Sequence, residues 1–325
     1  MAFRAAGADD VVLIAGRPDD TPFGSRIRKL VARERPGGLV VVGSGALPLA
    51  TGADLGSFVA VAGGPGRVAL TNNRYSADAT AVSCAESLLE LPDLPGDNAI
   101  PRWLEEVAGY EVRDLGGRWR LAVDLDSPLD LLLTDMGEVL PGPAAERVAA
   151  VNTVAADRRA ELVIAGRTSG TTLRWLERHV PARVRAIVEE RGLRASSRLA
   201  LDERSGLAPS RPPRPPRSVL GLLLDRDGPS GLGSILAQLG DAALVDSRVL
   251  LAHRLGPDER SWPAAEDRFA SDLLLPDRVH DPWLKSLTQA AAGAPIPVLL
   301  GGHSLVGPGI RLVFRRARSR AGPAR

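Results

Sequence analysis

Short apolar runs, most of them closing near a glycine, alternate along this 325-residue chain with longer segments rich in Ala, Leu and Arg. That rhythm belongs to parallel strands joined by helices. In the first half it predicts strands at Val11 to Ala15, Leu39 to Val42, Val68 to Thr71 and Trp119 to Val123, with helices near Ser25 to Arg35, Asp78 to Leu89 and Pro101 to Ala108. Ala145 to Ala160 reads as a helix bridging the halves. The second half predicts strands at Leu162 to Ala165, Val184 to Val188, Val219 to Leu224, Ala243 to Val245 and Val298 to Leu300. The runs are continuous rather than alternating, so the sheets they build should be covered on both faces. The tract Ser210 to Ser218, SRPPRPPRS, fits neither a helix nor a central strand and reads as an exposed polyproline-like linker.

The length accommodates one large domain or two ordinary ones, and two are expected. With 44% hydrophobic and only 4% aromatic residues, Leu, Val and Ala must build the core. The scarcity of rings also leaves few stacking platforms for single-stranded nucleic acid. Charge is nearly balanced at +2, and almost every basic residue is Arg, Lys29 and Lys285 being the only lysines. Dispersed Arg argues against a nucleic-acid surface. One cysteine, Cys84, excludes an intramolecular disulfide and a multi-Cys zinc site and fits a cytoplasmic setting. No apolar run approaches the roughly 20 residues of a membrane span, and the opening MAFRAAGADD has no signal-peptide core. No membrane partner is expected.

The stretch Val123 to Leu133, VDLDSPLDLLL, carries the clearest chemistry. Ser127, Pro128 and Asp130 make an N-cap, an N1 proline and an acidic N3 residue, an ordinary helix start. Asp124 and Asp126 are not explained by capping. Alternation at a strand end would send both to one face, where two carboxylates repel unless a cation or donors lie between them.

VDLDSPLDL resembles the Asp-x-Asp-Ser/Thr-Pro-x-Asp-Leu run that closes the nucleotide-binding domain of many nucleotidyltransferases. Ala5 to Ile14, AAGADDVVLI, is similar to the helix-to-strand turn of the same fold, and Leu39 to Thr51, LVVVGSGALPLAT, to its strand ending in Gly-Asp-x-Pro-Leu. Together they resemble the molybdenum-cofactor and phospholactate guanylyltransferase branch of the nucleotide-diphospho-sugar transferase fold. The resemblance covers residues 1 to about 135. It implies a Mg²⁺-dependent transfer of a nucleotidyl group onto a phosphorylated small molecule, with Asp124 and Asp126 on the metal. The family's glycine-rich Ala-Gly-Gly loop is not found, and Ser44, Gly45 and Ala46 stand where its metal-binding Asp is expected. The alternative is therefore a catalytically degenerate metabolite-binding or assembly protein, for which a homodimer would be natural.

Other loops carry polar groups in ligand-like combinations. Asn72, Asn73 and Arg74 follow a strand and suit a base edge or a phosphate, although Ser76 there also suits a helix cap. Asp97, Asn98 and Arg102 could cap a helix or meet a polar substrate. Gly166 to Thr172, GRTSGTT, joins a strand to a helix with more hydroxyls than a cap needs, so Arg167, Thr168 and Ser169 are candidates for holding an anion. His303 and Ser304 follow Gly301 and Gly302 at another strand end and are candidate substrate contacts, though adjacent residues make a poor nucleophilic pair. Asp225-Arg226-Asp227-Gly228 is similar to the Asp-x-Asp-Gly opening of haloacid-dehalogenase phosphatases, a second alternative, but Pro229 follows and no later paired carboxylates complete a metal site. The four histidines have no zinc-binding spacing. AGR recurs after Val11 to Ile14 and after Glu161 to Ile164, which shared turn chemistry explains.

The resulting expectation is an α/β protein: a nucleotidyltransferase-like three-layer domain at 1–145, then a second Rossmann-like α/β domain at 146–325 with a Pro/Arg-rich loop at 206–218. Its expected partner is a nucleotide or phosphorylated small molecule.

Overall fold

A computed structural model describes residues 2–15, 21–94, 97–136, 142–190 and 215–315. The chain forms two compact units that divide between Asp124 and Leu125. The helix starting at Pro128 belongs to the second unit.

In the first unit, α1 (Ala2–Ala5), α2 (Phe23–Glu34), β1 (Leu39–Val42), α3 (Gly52–Ala62), β2 (Val68–Thr71), β3 (Ala79–Val82), α4 (Ile100–Glu106) and β4 (Glu111–Asp114) follow in order. The sheet order is β1-β3-β2-β4; β3 runs antiparallel to β1 and β2, while β2 and β4 are parallel. Ile27 and Val31 of α2 and Ile100 and Leu104 of α4 pack with Ala69 and Val82, whereas Leu55 and Phe58 of α3 pack with Leu70, Ala79 and Ala81. Successive strand residues thus feed two different cores, one for each face of the sheet. Helix α3 starts where it does because Thr51 and Asp54 form a reciprocal capping box.

Three expectations fail here. Val11 to Ala15 is not a strand; no described strand pairs with it, and Leu13 is 87% exposed. Asp78 to Leu89 is not a helix but β3 followed by a 3-10 turn at Ala85–Glu90. Pairing on both edges of β3 overrides the helix preference of its alanines. Trp119–Ala122 is a 3-10 turn, and only Asp124 pairs, in an isolated antiparallel bridge to Ala46.

The second unit contains α5 (Pro128–Thr134), α6 (Pro143–Ala155), β5 (Glu161–Gly166), α7 (Gly170–His179), β6 (Arg183–Val188), α8 (Val219–Asp227), α9 (Leu232–Ala237), β7 (Ala242–Asp246), α10 (Ser247–Leu255), α11 (Ala265–Asp272), α12 (Pro282–Ala292), β8 (Val298–Gly301), α13 (His303–Val306) and α14 (Ile310–Val313). Its sheet is wholly parallel, in the order β6-β5-β7-β8. β5 and β7 are buried along nearly their whole length, as their continuous apolar runs require.

Val219 to Leu224, expected as a strand, is the start of α8. Ser218 caps it, its Oγ accepting the Gly221 N–H at 3.1 Å. Leu220 and Leu224 are buried four residues apart while Val219 and Leu222 face solvent, which is helical spacing. Asp225, read as following a strand, is therefore on a helix and meets Nε2 of buried His253 at 2.9 Å. The loop 206–218 lies outside the described residues apart from 215–218.

Candidate functional site

The order of the second sheet reverses at β5: the chain steps outward from β5 to β6, then crosses back to β7 and β8. In open parallel sheets the crevice beyond the carboxyl ends of the strands at such a reversal is where ligands bind. Here those ends carry Gly166-Arg167-Thr168 after β5, Asp246-Ser247-Arg248 at β7 and Gly301-Gly302-His303-Ser304 at β8.

Arg167 and Asp246 join the first two ends. Nε of Arg167 donates to Asp246 Oδ2 at 2.5 Å and Nη2 to Oδ1 at 3.1 Å, with the Asp246 side chain fully buried. Glycine before Arg167 is a condition of this approach: Gly166 has φ +128°, and a Cβ there would stand 2.2 Å from Cβ of Asp246. Asp246 also caps α10 by accepting the Arg248 N–H at 3.1 Å. The Arg248 side chain turns away to Asp272 of α11, donating through Nη1 and Nη2 at 2.6 Å each. Both partners are buried. Burial opposes the charge on Arg248, but Asp272, then Asp246 and Asp130, hold the guanidinium protonated. Burial likewise pushes the Asp272 carboxyl up, and the fork opposes it. Arginine does not give up its proton, and its two-pronged contact favours the carboxylate form of Asp272 against burial.

Asp130 of α5 adds a third carboxyl near this network. Its Oδ2 accepts Oγ–H of Ser127 at 2.9 Å and the Asp126 N–H at 3.1 Å. Burial pushes its pKa up to about 7; Ser127 opposes the shift, and the charges of Asp126 and Asp272 reinforce it.

His303, the first residue of α13, reaches from the end of β8 to the carbonyl of Arg167, with Nδ1 at 2.8 Å. A carbonyl can only accept, so Nδ1 carries the proton of the neutral ring and Nε2 keeps its lone pair. His303 is exposed by surface area; desolvation, and after it the nearby charge of Arg167, hold its pKa below the ordinary histidine value. Gly307 lies against the ring, since a Cβ there would come within 2.7 Å of Cε1.

Two loops singled out separately in the sequence, Arg167 to Ser169 and His303 to Ser304, thus meet beyond the carboxyl ends of β5 and β8. Thr168 is buried, and its Oγ1 has no hydrogen-bond partner among the described residues. Ser169 Oγ accepts the Thr172 N–H at 3.2 Å as the cap of α7. Ser304 is buried. Sequence reasoning missed Asp246 and Arg248, although an apolar run ending in Asp-Ser-Arg after Val245 was a usable signal. Asp272, with Asp267, reads in the sequence mainly as a helix face or core edge that could line a cleft.

The candidates of the first unit are engaged otherwise. Asn72 is fully buried: Nδ2 donates to Asp78 Oδ2 and the Leu121 carbonyl, and Oδ1 accepts the N–H groups of Asp78 and Ala79. Its amide is spent on holding the β2–β3 turn. Asn73 Oδ1 accepts the Tyr75 N–H at 3.0 Å, and Arg74 pairs with Glu105. Arg102 pairs with Glu106 at 2.6 Å, Asn98 Oδ1 accepts Oγ–H of Ser76 at 3.0 Å, and Asp97 opens a 3-10 turn, Asp97–Ala99. Asp124 is half-buried and Asp126 exposed, and they fall in different compact units. Among the described residues no group of three or more His, Cys, Asp or Glu side chains could hold a metal ion. The donor set at Asp124 and Asp126 is poor for a hard cation that asks for several oxygen ligands.

Among the described residues no helix is long and apolar enough to cross a membrane. No protein-family model, curated protein or solved structure matches the chain.

Proposed function

We propose that the second unit binds a polar small molecule, a nucleotide or phosphorylated metabolite, in the crevice beyond β5, β7 and β8. The observation that carries this is the meeting of Arg167 and His303 at the reversal of strand order. Features that mark functional sites meet at these strand ends: a neutral histidine with a free lone pair and the buried pair of Arg167 with Asp246. Structural ion-pair networks alone seldom leave a buried hydroxyl unpaired beside them, as Thr168 is here.

The experiment is a thermal-shift screen of nucleotides and phosphorylated metabolites, with and without Mg²⁺, on the wild type and on His303→Ala. A ligand at about 100 times its Kd stabilises by roughly 2.7 kcal/mol. A stabilising ligand whose effect His303→Ala removes is expected. A hit indifferent to His303, or a silent panel, goes against the crevice. Nucleotidyl transfer by Asp124 and Asp126 has only the sequence resemblance behind it; a Mg²⁺-dependent hit lost in Asp124→Asn with Asp126→Asn would restore it.

A further inference from the structure

The unpaired N–H and C=O groups along an edge strand invite pairing with any extended chain, and proteins guard such edges with charges, prolines or a covering element. Three of the four sheet edges here are guarded. β4 reads Glu-Val-Arg-Asp, and Glu111 and Arg113 pair on it at 2.8 Å. β6 carries Arg183 and Arg185, and Arg185 reaches Glu161 at 3.0 Å. β8 is buried along its whole length. β1 is Leu-Val-Val-Val, without charge or proline; β3 is its one neighbour among the described strands, and its last residue, Val42, is exposed.

A second observation lies elsewhere in the same unit. Val11 to Ile14 are all apolar and all exposed, Leu13 at 87% and Ile14 at 61%, and every one but Leu13 is β-branched. Among the described residues no backbone hydrogen bond engages Val12, Leu13 or Ile14. The run has a strand's propensity and a strand's unsatisfied backbone but no sheet, and it is as long as β1. The flanking charges match as well. Asp9, ahead of the segment, and Arg35, ahead of β1, are both exposed, and neither has an ion-pair partner among the described residues, whereas Asp10 is held by Arg4 and Arg33 by Glu34. Laid parallel to β1, the segment would bring Asp9 to the Arg35 end. Within one chain the segment and β1 are not paired.

We propose that the β1 edge is an interface between two copies of this chain, each laying its Val11 to Ile14 along the β1 of the other as an added strand. The exchange is reciprocal, so two copies close a two-fold dimer and neither edge stays open. It satisfies the backbone of both stretches and removes Leu13 and Ile14 from water. The interface belongs to the first unit and does not depend on the crevice in the second.

The test is the oligomeric state of the full chain, by sedimentation equilibrium over roughly a hundredfold range of concentration. A dimer is expected, with amide exchange at Val12 to Ile14 slowing as it forms. Leu13→Asp and Val42→Lys change exposed side chains and so leave the fold intact; each should raise the dimer dissociation constant by about tenfold or more. Arg35→Glu should raise it a few-fold, and adding Asp9→Arg should reverse that rise. Arg183→Gln, on a guarded edge of the other unit, should leave it unchanged. A chain that stays monomeric at every concentration overturns the proposal, whether or not the segment has folded onto its own β1. A dimer insensitive to Leu13→Asp overturns it too, and if Val42→Lys alone breaks that dimer, the two edges pair directly with each other. A dimer broken by Leu13→Asp but not by Val42→Lys puts the segment on another surface, and the β1 edge falls as the interface.

Discussion

Asp130 shows how one carboxyl can serve both as a local cap and as part of a distant charge network. Its local role was legible: Ser127, Pro128 and an acid at N3 announce a helix start, and the Ser127 hydroxyl and the Asp126 amide do bond to it. Its burial and its proximity to Asp272 were not legible, because they depend on where α11 packs. The consequence is a pH dependence of definite sign. An unfolded aspartate titrates near about 3.9, whereas folding pushes Asp130 up to about 7. The native state therefore binds this proton more tightly. The stabilisation from that proton is complete below the unfolded value and disappears as pH rises through about 7. Asn imitates the protonated carboxyl, so Asp130→Asn should match the wild type near pH 4 and exceed its Tm by on the order of 5 °C at pH 8. Calorimetry at both pH values checks this; an equal difference at each would mean that Asp130 is not the titrating group.

Elements were read correctly where the apolar pattern had one interpretation and incorrectly where tertiary pairing decided. β5, β6, β7 and β8 all form at the expected runs; the continuous apolar stretches of β5, β7 and β8 suit doubly covered parallel strands, whereas β6, at the edge, is mostly exposed. Val219 to Leu224 has equally apolar residues but is bounded by a capping serine, and the spacing of Leu220 and Leu224 makes it helical. Asp78 to Leu89 went the other way, since β3 gains neighbours on both edges. At the candidate site, the turn after β5 was legible from its glycines and hydroxyls. The requirement that Gly166 let β7 approach was not. Gly166→Ala combines a left-handed backbone with a Cβ 2.2 Å from Asp246, and should destabilise the second unit by on the order of 3 kcal/mol. Urea unfolding measures this. A cost near the usual glycine-to-alanine value would show that the β5 and β7 ends can part without loss.

At the scale of the whole chain, composition already required an aliphatic core, and the two units meet that requirement in different ways. The first divides its apolar residues between the two faces of a mixed sheet, with Phe58 of α3 fully buried on one of them. The second builds a large cluster around Val163, Val245, Leu287 and Leu300. An α/β class with helices and parallel pairing could be read from strand and helix rhythm alone, while the antiparallel β3 could not, since a short run does not declare its direction. The clusters share no residue, so damage to one should stay local. Phe58→Ala removes a ring from a closed core and should cost its unit roughly 3–5 kcal/mol. Hydrogen exchange should then accelerate across β2 and β3, whose Leu70, Ala79 and Ala81 pack with Phe58, and remain slow across β5 and β7. Acceleration in all four strands would instead show that both units open in a single cooperative step, and the separate cores would then not be separate units of stability.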